Sequence, residues 1–200
     1  MKFINRFLNN TLETINSLNH DEIYRLVEIV KTIKKKKGRI FFLGLGGSAA
    51  NASHAVNDFR KIANIECYSP LDNISEFSAR VNDEGLKHTF SKWLEVSKLT
   101  KNDLLFIFSV GGGDIKKKVS VNIVEAIKFA NKKNARVVGL VANNGGYTAN
   151  EADEVVKINV NSKNLITPIS ESLQAVIWHL IVSHPLIKEN ETKWESLKSK

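Results

Sequence analysis

The sequence predicts an α/β fold in which a parallel sheet is covered on both faces by helices, and three observations predict it. Short apolar runs rich in branched and aromatic residues alternate with segments of helical period. The runs are continuously apolar rather than alternating, as strands buried on both faces are. Glycine clusters follow three of them, where strands would turn into helices.

The elements follow in order. Residues 4–18 and 21–36 carry apolar side chains at helical spacing, the second segment through Ile23, Leu26, Val27 and Val30. Asp21, after Asn19 and His20, is its expected start, and Gly38 its expected stop. Strands are expected over 39–43, 104–108, 136–141 and 155–160. A helical pattern occupies 122–132, and a long one over 169–183 ends before Pro185. No repeat, low-complexity tract or linker divides the chain, so a single domain over 1–200 is expected.

Composition narrows the function classes. With 200 residues, 42% of them hydrophobic, the chain can bury a full core. One cysteine, Cys67, excludes an internal disulfide and any multi-cysteine metal site, and fits a reducing cytoplasm. The N-terminal ten residues lack the pattern of a secretory leader, and the longest apolar stretch, 175–182, is interrupted by His179, so no membrane span is expected. The net charge of +8 comes largely from lysine runs at 34–37, 116–118 and 132–133. No aromatic residues interleave with them, and no helix-turn-helix or zinc pattern accompanies them, so they read as solvated surface and not as a nucleic-acid site.

The glycine loops carry the chemistry. In Gly-Leu-Gly-Gly-Ser at 44–48, a strand, a glycine turn and a helix start come in the order that makes an anion site from backbone alone. The first helix amides have no intrahelical partner, and the helix dipole adds partial positive charge. Ser-Val-Gly-Gly-Gly-Asp at 109–114 and Asn-Asn-Gly-Gly at 143–146 follow later strands. In doubly wound sheets ligands bind at these strand ends. A dinucleotide fingerprint would need glycine at Ala49, and no lysine completes a Walker loop, so no nucleotide cofactor is expected. What remains is a small phosphorylated ligand.

Together, residues 44–54 (GLGGSAANASH), the pair Asn82 and Asp83, the loop led by Ser109, and the last helix with His179 resemble the phosphoheptose isomerase branch of the sugar isomerase (SIS) domain proteins. The resemblance covers essentially the whole chain. It implies a three-layer sandwich with a five-stranded parallel sheet, flavodoxin-like, preceded by two N-terminal helices within 1–37 used in packing and oligomerisation. It further implies a cytoplasmic homotetramer with sites shared between subunits. The reaction implied is an aldose–ketose isomerisation of sedoheptulose 7-phosphate to glycero-manno-heptose 7-phosphate, feeding heptose into surface polysaccharide such as lipopolysaccharide or capsule. A second class in the same family is a non-catalytic tetrameric scaffold that binds the replication initiator.

Moving a carbonyl between adjacent carbons needs a base, stabilisation of an enediolate, and an acid. His54 and Asp58, four apart, share a helix face; Glu171 and His179, eight apart, fall roughly on one face. Two histidines and two carboxylates suit either acid–base work or zinc. The resemblance implies His54, Asp58, Glu171 and His179 as zinc ligands and Asp58, Glu171 and His179 as catalytic groups. It implies substrate contacts from Leu45, Gly46, Gly47, Ser48, Asn82, Asp83, Ser109, Val110, Gly111, Asp114 and Glu171.

The chain departs from the family at several of these positions. Asp58 stands for a glutamate and Glu171 for a glutamine; the shorter Asp58 carboxylate withdraws by about 1.5 Å, which points to proton transfer shared with or moved to Glu171. Leu45 stands where the family often has asparagine. The loop at 109–114 lacks most of the family's hydroxyls, and Asp114 would repel a phosphate unless Lys116 or Lys117 compensates it or the acid binds a sugar hydroxyl. Taken singly, His179 between Trp178 and Leu180 reads as a packed core histidine, Asp58 as a surface ion-pair partner, and Gln174 as an alternative polar residue entering the site. His20, His88 and His184 read as structural or exposed.

Overall fold

The computed structural model describes residues 1–197. In chain order it contains α1 (Lys2–Asn16), α2 (His20–Lys35), β1 (Ile40–Leu43), α3 (Gly47–Lys61), β2 (Cys67–Tyr68), α4 (Ile74–Glu84) and α5 (Thr89–Val96). These are followed by β3 (Leu104–Ser109), α6 (Val121–Lys132), β4 (Arg136–Ala142), α7 (Gly146–Glu151), β5 (Glu154–Ile158), α8 (Ile166–Ser183) and α9 (Lys193–Ser196). The five strands form one all-parallel sheet in the order β2-β1-β3-β4-β5. This is the α/β, three-layer, five-stranded fold with two N-terminal helices that the sequence predicted.

Strand alternation divides the core between the two faces. Ile40, Phe42, Phe106, Phe108, Val138, Leu140 and Val156 pack with buried residues of α2, α3 and α8. Phe41, Leu43, Leu105, Ile107 and Val137 pack on the other face with residues of α5 and α6. Strand β2, only two residues long, escaped the sequence reading because so short a run carries no periodicity. The left-handed residue ending α2 is Lys37, at φ 54°, and not Gly38. At its start, the Asn19 side chain accepts hydrogen bonds from the amides of Asp21 and Glu22.

Helix α8 begins at Ile166, three residues earlier than predicted, because Pro168 is tolerated within a first turn. The segment Lys163–Ser183 is long and apolar enough to cross a membrane by length and composition, which the sequence reading had not allowed. In this fold Ile169, Leu173, Ile177, Trp178 and Ile181 of that segment are buried in the core against α2, α3 and the sheet.

At the opposite end from the glycine loops, a charged pair ties β1 to β3. Asp103, 2% exposed, accepts hydrogen bonds from the Arg39 amide and guanidinium and from the Thr100 amide and hydroxyl. Burial pushes the Asp103 carboxyl up, but these bonds outweigh it and hold it below its ordinary value. A lowered folded pKa contributes stability that is present above the unfolded value, about 3.9, and is lost as pH falls through the folded value. Asp103→Asn is therefore expected to cost about 3 kcal/mol at pH 7. The deficit should shrink at pH 3, as urea unfolding of both proteins at the two pH values would show.

Candidate functional site

The order β2-β1-β3 reverses the chain's direction of travel across the sheet between β1 and β3. At such a switch point the loops leaving the two strands diverge and open a crevice. The loop at 44–48 leaves β1 for α3, and the loop at 109–113 leaves β3 for α6, so both lie at that crevice.

Helices α3 and α8 pack side by side, and their side chains bring the histidines together. The Asp58 Oδ2 lies 3.6 Å from His54 Nε2 and 3.7 Å from His179 Nε2. One ligand atom from each of the three falls within 4.8 Å of the others. His179 Nδ1 lies 2.7 Å from the Ala175 carbonyl, four residues back on the same helix. With that nitrogen donating, the Nε2 lone pair faces Asp58, the arrangement in which a histidine serves a metal. Two imidazoles and one carboxylate with an open side match the donor set of a catalytic zinc, whose bonds of about 2 Å place ligand atoms a little over 3 Å apart. The His179 and His54 side chains are 46% and 57% exposed, so neither is a packed core histidine, and Asp58 is paired with the histidines and not with the neighbouring Arg60 or Lys61.

Glu171 lies outside this group. It precedes His179 by eight residues, about 12 Å along the helix axis. Its carboxylate rests on the start of α3: a Cβ built on Gly47 would come within 2.4 Å of Glu171 Oε2. The first glycine loop thus receives a carboxylate from within the chain at the helix end that attracts anions. Asn51 on α3 reaches across to α8, its Nδ2 donating to the Glu171 carbonyl at 2.9 Å and to Gln174 Oε1 at 3.2 Å. Gln174 is fully buried in this α3–α8 contact and does not enter the crevice.

The other residues singled out in the sequence distribute as follows. Gly46 caps α3 and is exposed, while Ser48 is buried beneath it. Leu45 is half-buried and packs against the core on the α5–α6 side, which accounts for an apolar residue there. Asn82 and Asp83 are exposed near the end of α4 and hydrogen-bonded to each other, Asn82 Nδ2 to Asp83 Oδ1 at 2.8 Å. No hydrogen bond or ion pair among the described residues joins them to the histidine group or to the loop at 109–113. His20, His88 and His184 lie outside the histidine group.

The second glycine loop is the better anion cradle. Ser109 Oγ accepts from the Gly112 amide at 3.0 Å, folding the loop back on the strand end. Its carbonyls are tied to α7: the amides of Thr148 and Tyr147 donate to Gly112 and Gly113, and Thr148 Oγ1 donates to Gly112 at 2.7 Å. This is so close an approach that a Cβ on Gly112, already at φ +68°, would fall 1.8 Å from the Gly145 carbonyl oxygen. The Val110 carbonyl accepts from Ala142, whereas the amides of Gly111 and Gly113 have no acceptor among the described residues. Two amides left without an acceptor in a rigid turn are donors that a phosphate oxygen can take.

Sequence reading missed three residues of this neighbourhood. Asn51 and Thr148 carry no local signal, since their partners are distant in the chain. Ser120 could have been found: it caps α6 at φ 48°, and a serine before a helix-period segment is a start signal. Asp114 takes no part in the cradle's backbone. Its Oδ1 accepts from the Lys117 amide at 2.9 Å, and that bond, with the charges of Lys117 and Lys116, holds the carboxyl below its ordinary value.

Known proteins share this architecture. The sequence profile of the SIS domain matches residues 3–142. The chain is 30% identical over 170 residues to the phosphoheptose isomerase of Aneurinibacillus thermoaerophilus, covering 80% of each. It is 32% identical over 158 residues to the lincomycin biosynthesis protein LmbN of Streptomyces lincolnensis, spanning only 56% of that longer protein. The structure of phosphoheptose isomerase GmhA from Neisseria gonorrhoeae superposes with a TM-score of 0.76 over 90% of this chain and 93% of that one; at 24% identity this likeness speaks for the fold.

Proposed function

The chain belongs to the SIS domain family, in its phosphoheptose isomerase branch, and from that premise we propose that this sugar-phosphate isomerase interconverts sedoheptulose 7-phosphate and glycero-manno-heptose 7-phosphate. The observation that carries the reading is the meeting of His54, Asp58 and His179 across α3 and α8. The relatives named phosphoheptose isomerase support the seven-carbon substrate.

The chemistry divides among the chain's own residues. Residues 109–113 hold the phosphate through the free amides of Gly111 and Gly113, with Ser109 and Val110 shaping the turn and Ser120 at its far side. Gly46, Gly47 and Ser48 receive the sugar's carbonyl end beside Glu171, and Asn82 and Asp83 contact its hydroxyls. Glu171 takes the proton from C1 of the ketose; the electron pair moves into an enediolate as the C2 carbonyl oxygen gains a proton. Return of a proton to C2, with loss of the O1 proton, yields the aldose. Packing against Gly47 keeps Glu171 at the mouth of the first loop. His54, Asp58 and His179 would hold zinc, which would supply a fixed positive charge for oxygens of the bound sugar. The same Glu171 carboxyl returns the proton to C2, since both nitrogens of His179 are taken, Nδ1 by the Ala175 carbonyl and Nε2 by the metal group.

The assembly is a homotetramer of the cytoplasm, with sites at subunit interfaces, serving heptose for surface polysaccharide. The exposed apolar face of α1, through Phe3, Ile4, Leu8 and Leu12, supports a partner copy, since a monomer would leave these side chains in water. The test is turnover of sedoheptulose 7-phosphate with and without chelator. Product should form, cease on chelation and return with zinc. No product under any metal would refute the isomerase reading, and undiminished turnover in chelator would refute the zinc.

A further inference from the structure

Three lysine runs gave the chain its positive charge, and the topology separates them. Lys34 and Lys35 end α2, and Lys132 ends α6. Both helices lead directly into strands, so these runs lie at the edge where strands begin, offsetting helix dipoles far from the crevice. The run at 116–118 lies between the end of β3 and the start of α6, at the crevice edge. It is the tip of a closed turn: Asp114 and Val119 exchange backbone hydrogen bonds of 2.9 and 3.0 Å, and Asp114 Oδ1 accepts from the Lys117 amide at 2.9 Å.

The crevice needs positive charge there. Glu171 brings a carboxylate to it at Gly47, and no arginine or lysine stands among the residues assigned to it above. A sugar phosphate adds a charge near −2 at pH 7. Of the turn's lysines, Lys117 pairs with Asp114 at 3.8 Å, while Lys116 and Lys118 form no ion pair among the described residues. Lys116 lines a cleft of about 280 Å³ that opens beside Gly113 between the turn and the start of α7.

We propose that the turn from Asp114 to Val119 is a cationic lip of the phosphate cradle, in which Lys116 and Lys118 select for the doubly charged phosphate and Asp114 is a positioning residue that sets the turn. The inference rests on the reading of residues 109–113 as that cradle. Asp114 then does not repel the ligand: the amide and ammonium of Lys117 occupy its charge, and it presents the two neighbouring lysines instead.

The lysines act on the phosphate alike in ground and transition states, so they should move KM and leave kcat. The variant Lys116→Gln/Lys118→Gln is expected to raise KM for sedoheptulose 7-phosphate about tenfold at low salt with kcat unchanged. The wild-type advantage should fade near 1 M salt, where the screening length is about 3 Å. Asp114→Ala should reproduce the KM rise and Asp114→Asn, which keeps the Oδ1 acceptor, should restore it; a merely structural loss would lower kcat and folded fraction together. Calorimetry with inorganic phosphate separates the two claims. Wild-type protein that binds no phosphate refutes the cradle, and the lip with it. If the wild type binds phosphate and the double-glutamine variant matches it in affinity and KM, the lip alone is refuted.

Discussion

Replacing His179 with alanine is expected to lower kcat for sedoheptulose 7-phosphate by at least about a hundredfold and to remove bound zinc, with little change in melting temperature. Three features of this position set the expectation. Its Nε2 is one of the two imidazole nitrogens facing Asp58 among the described residues, so a three-residue group would become a two-residue one. Loss of the charge that a metal there would supply costs about 10² to 10³ in rate. The ring is 46% exposed on α8, whose core contacts run through Leu173, Ile177, Trp178 and Ile181, so the fold does not depend on it. Metal content by atomic emission, measured beside kcat, checks it. A His179→Ala protein that retains both would show that the group is not the site.

Glu171→Gln and Asp58→Asn should separate by phenotype. Gln at 171 keeps the shape resting on Gly47 and leaves the backbone carbonyl that Asn51 bonds, yet it cannot accept a proton. It should therefore keep zinc and lose about 10² to 10⁴ in kcat. Asn at 58 removes the charge between two imidazoles and should lose zinc first, with activity partly regained at high zinc. Full turnover in Glu171→Gln together with abolished, zinc-independent turnover in Asp58→Asn would reverse the assignment and return proton transfer to Asp58.

The site was legible where local pattern determined it. His54 and Asp58, four apart on one helix, had to share a face, and the structure sets their side chains 3.6 Å apart. The eight-residue spacing of Glu171 and His179 also promised one face, but two turns of helix carry them to different ends of the α3–α8 contact. Asn51 and Gln174, which meet in that contact, are 123 residues apart and had no sequence signal at all. Asp114 read as a threat to a phosphate because its partner, the Lys117 amide, is a backbone group whose direction no composition reveals.

By itself the sequence determined four of the five strands and the helices α1, α2, α3, α6 and α8, that the sheet is parallel, and which loops open at its ligand-binding edge, while β2, α4, α5 and α7 had no such signal. Periodicity, glycine placement and burial on both faces are local properties, and neighbouring residues suffice to express them. Only the tertiary structure decided that His179 meets Asp58 while Glu171 turns to Gly47, and that one lysine run of three stands at the crevice. Those outcomes follow from the packing of α8 against α3 and from the strand order β2-β1-β3, contacts between residues far apart in the chain whose registry is set by the shape of the whole core.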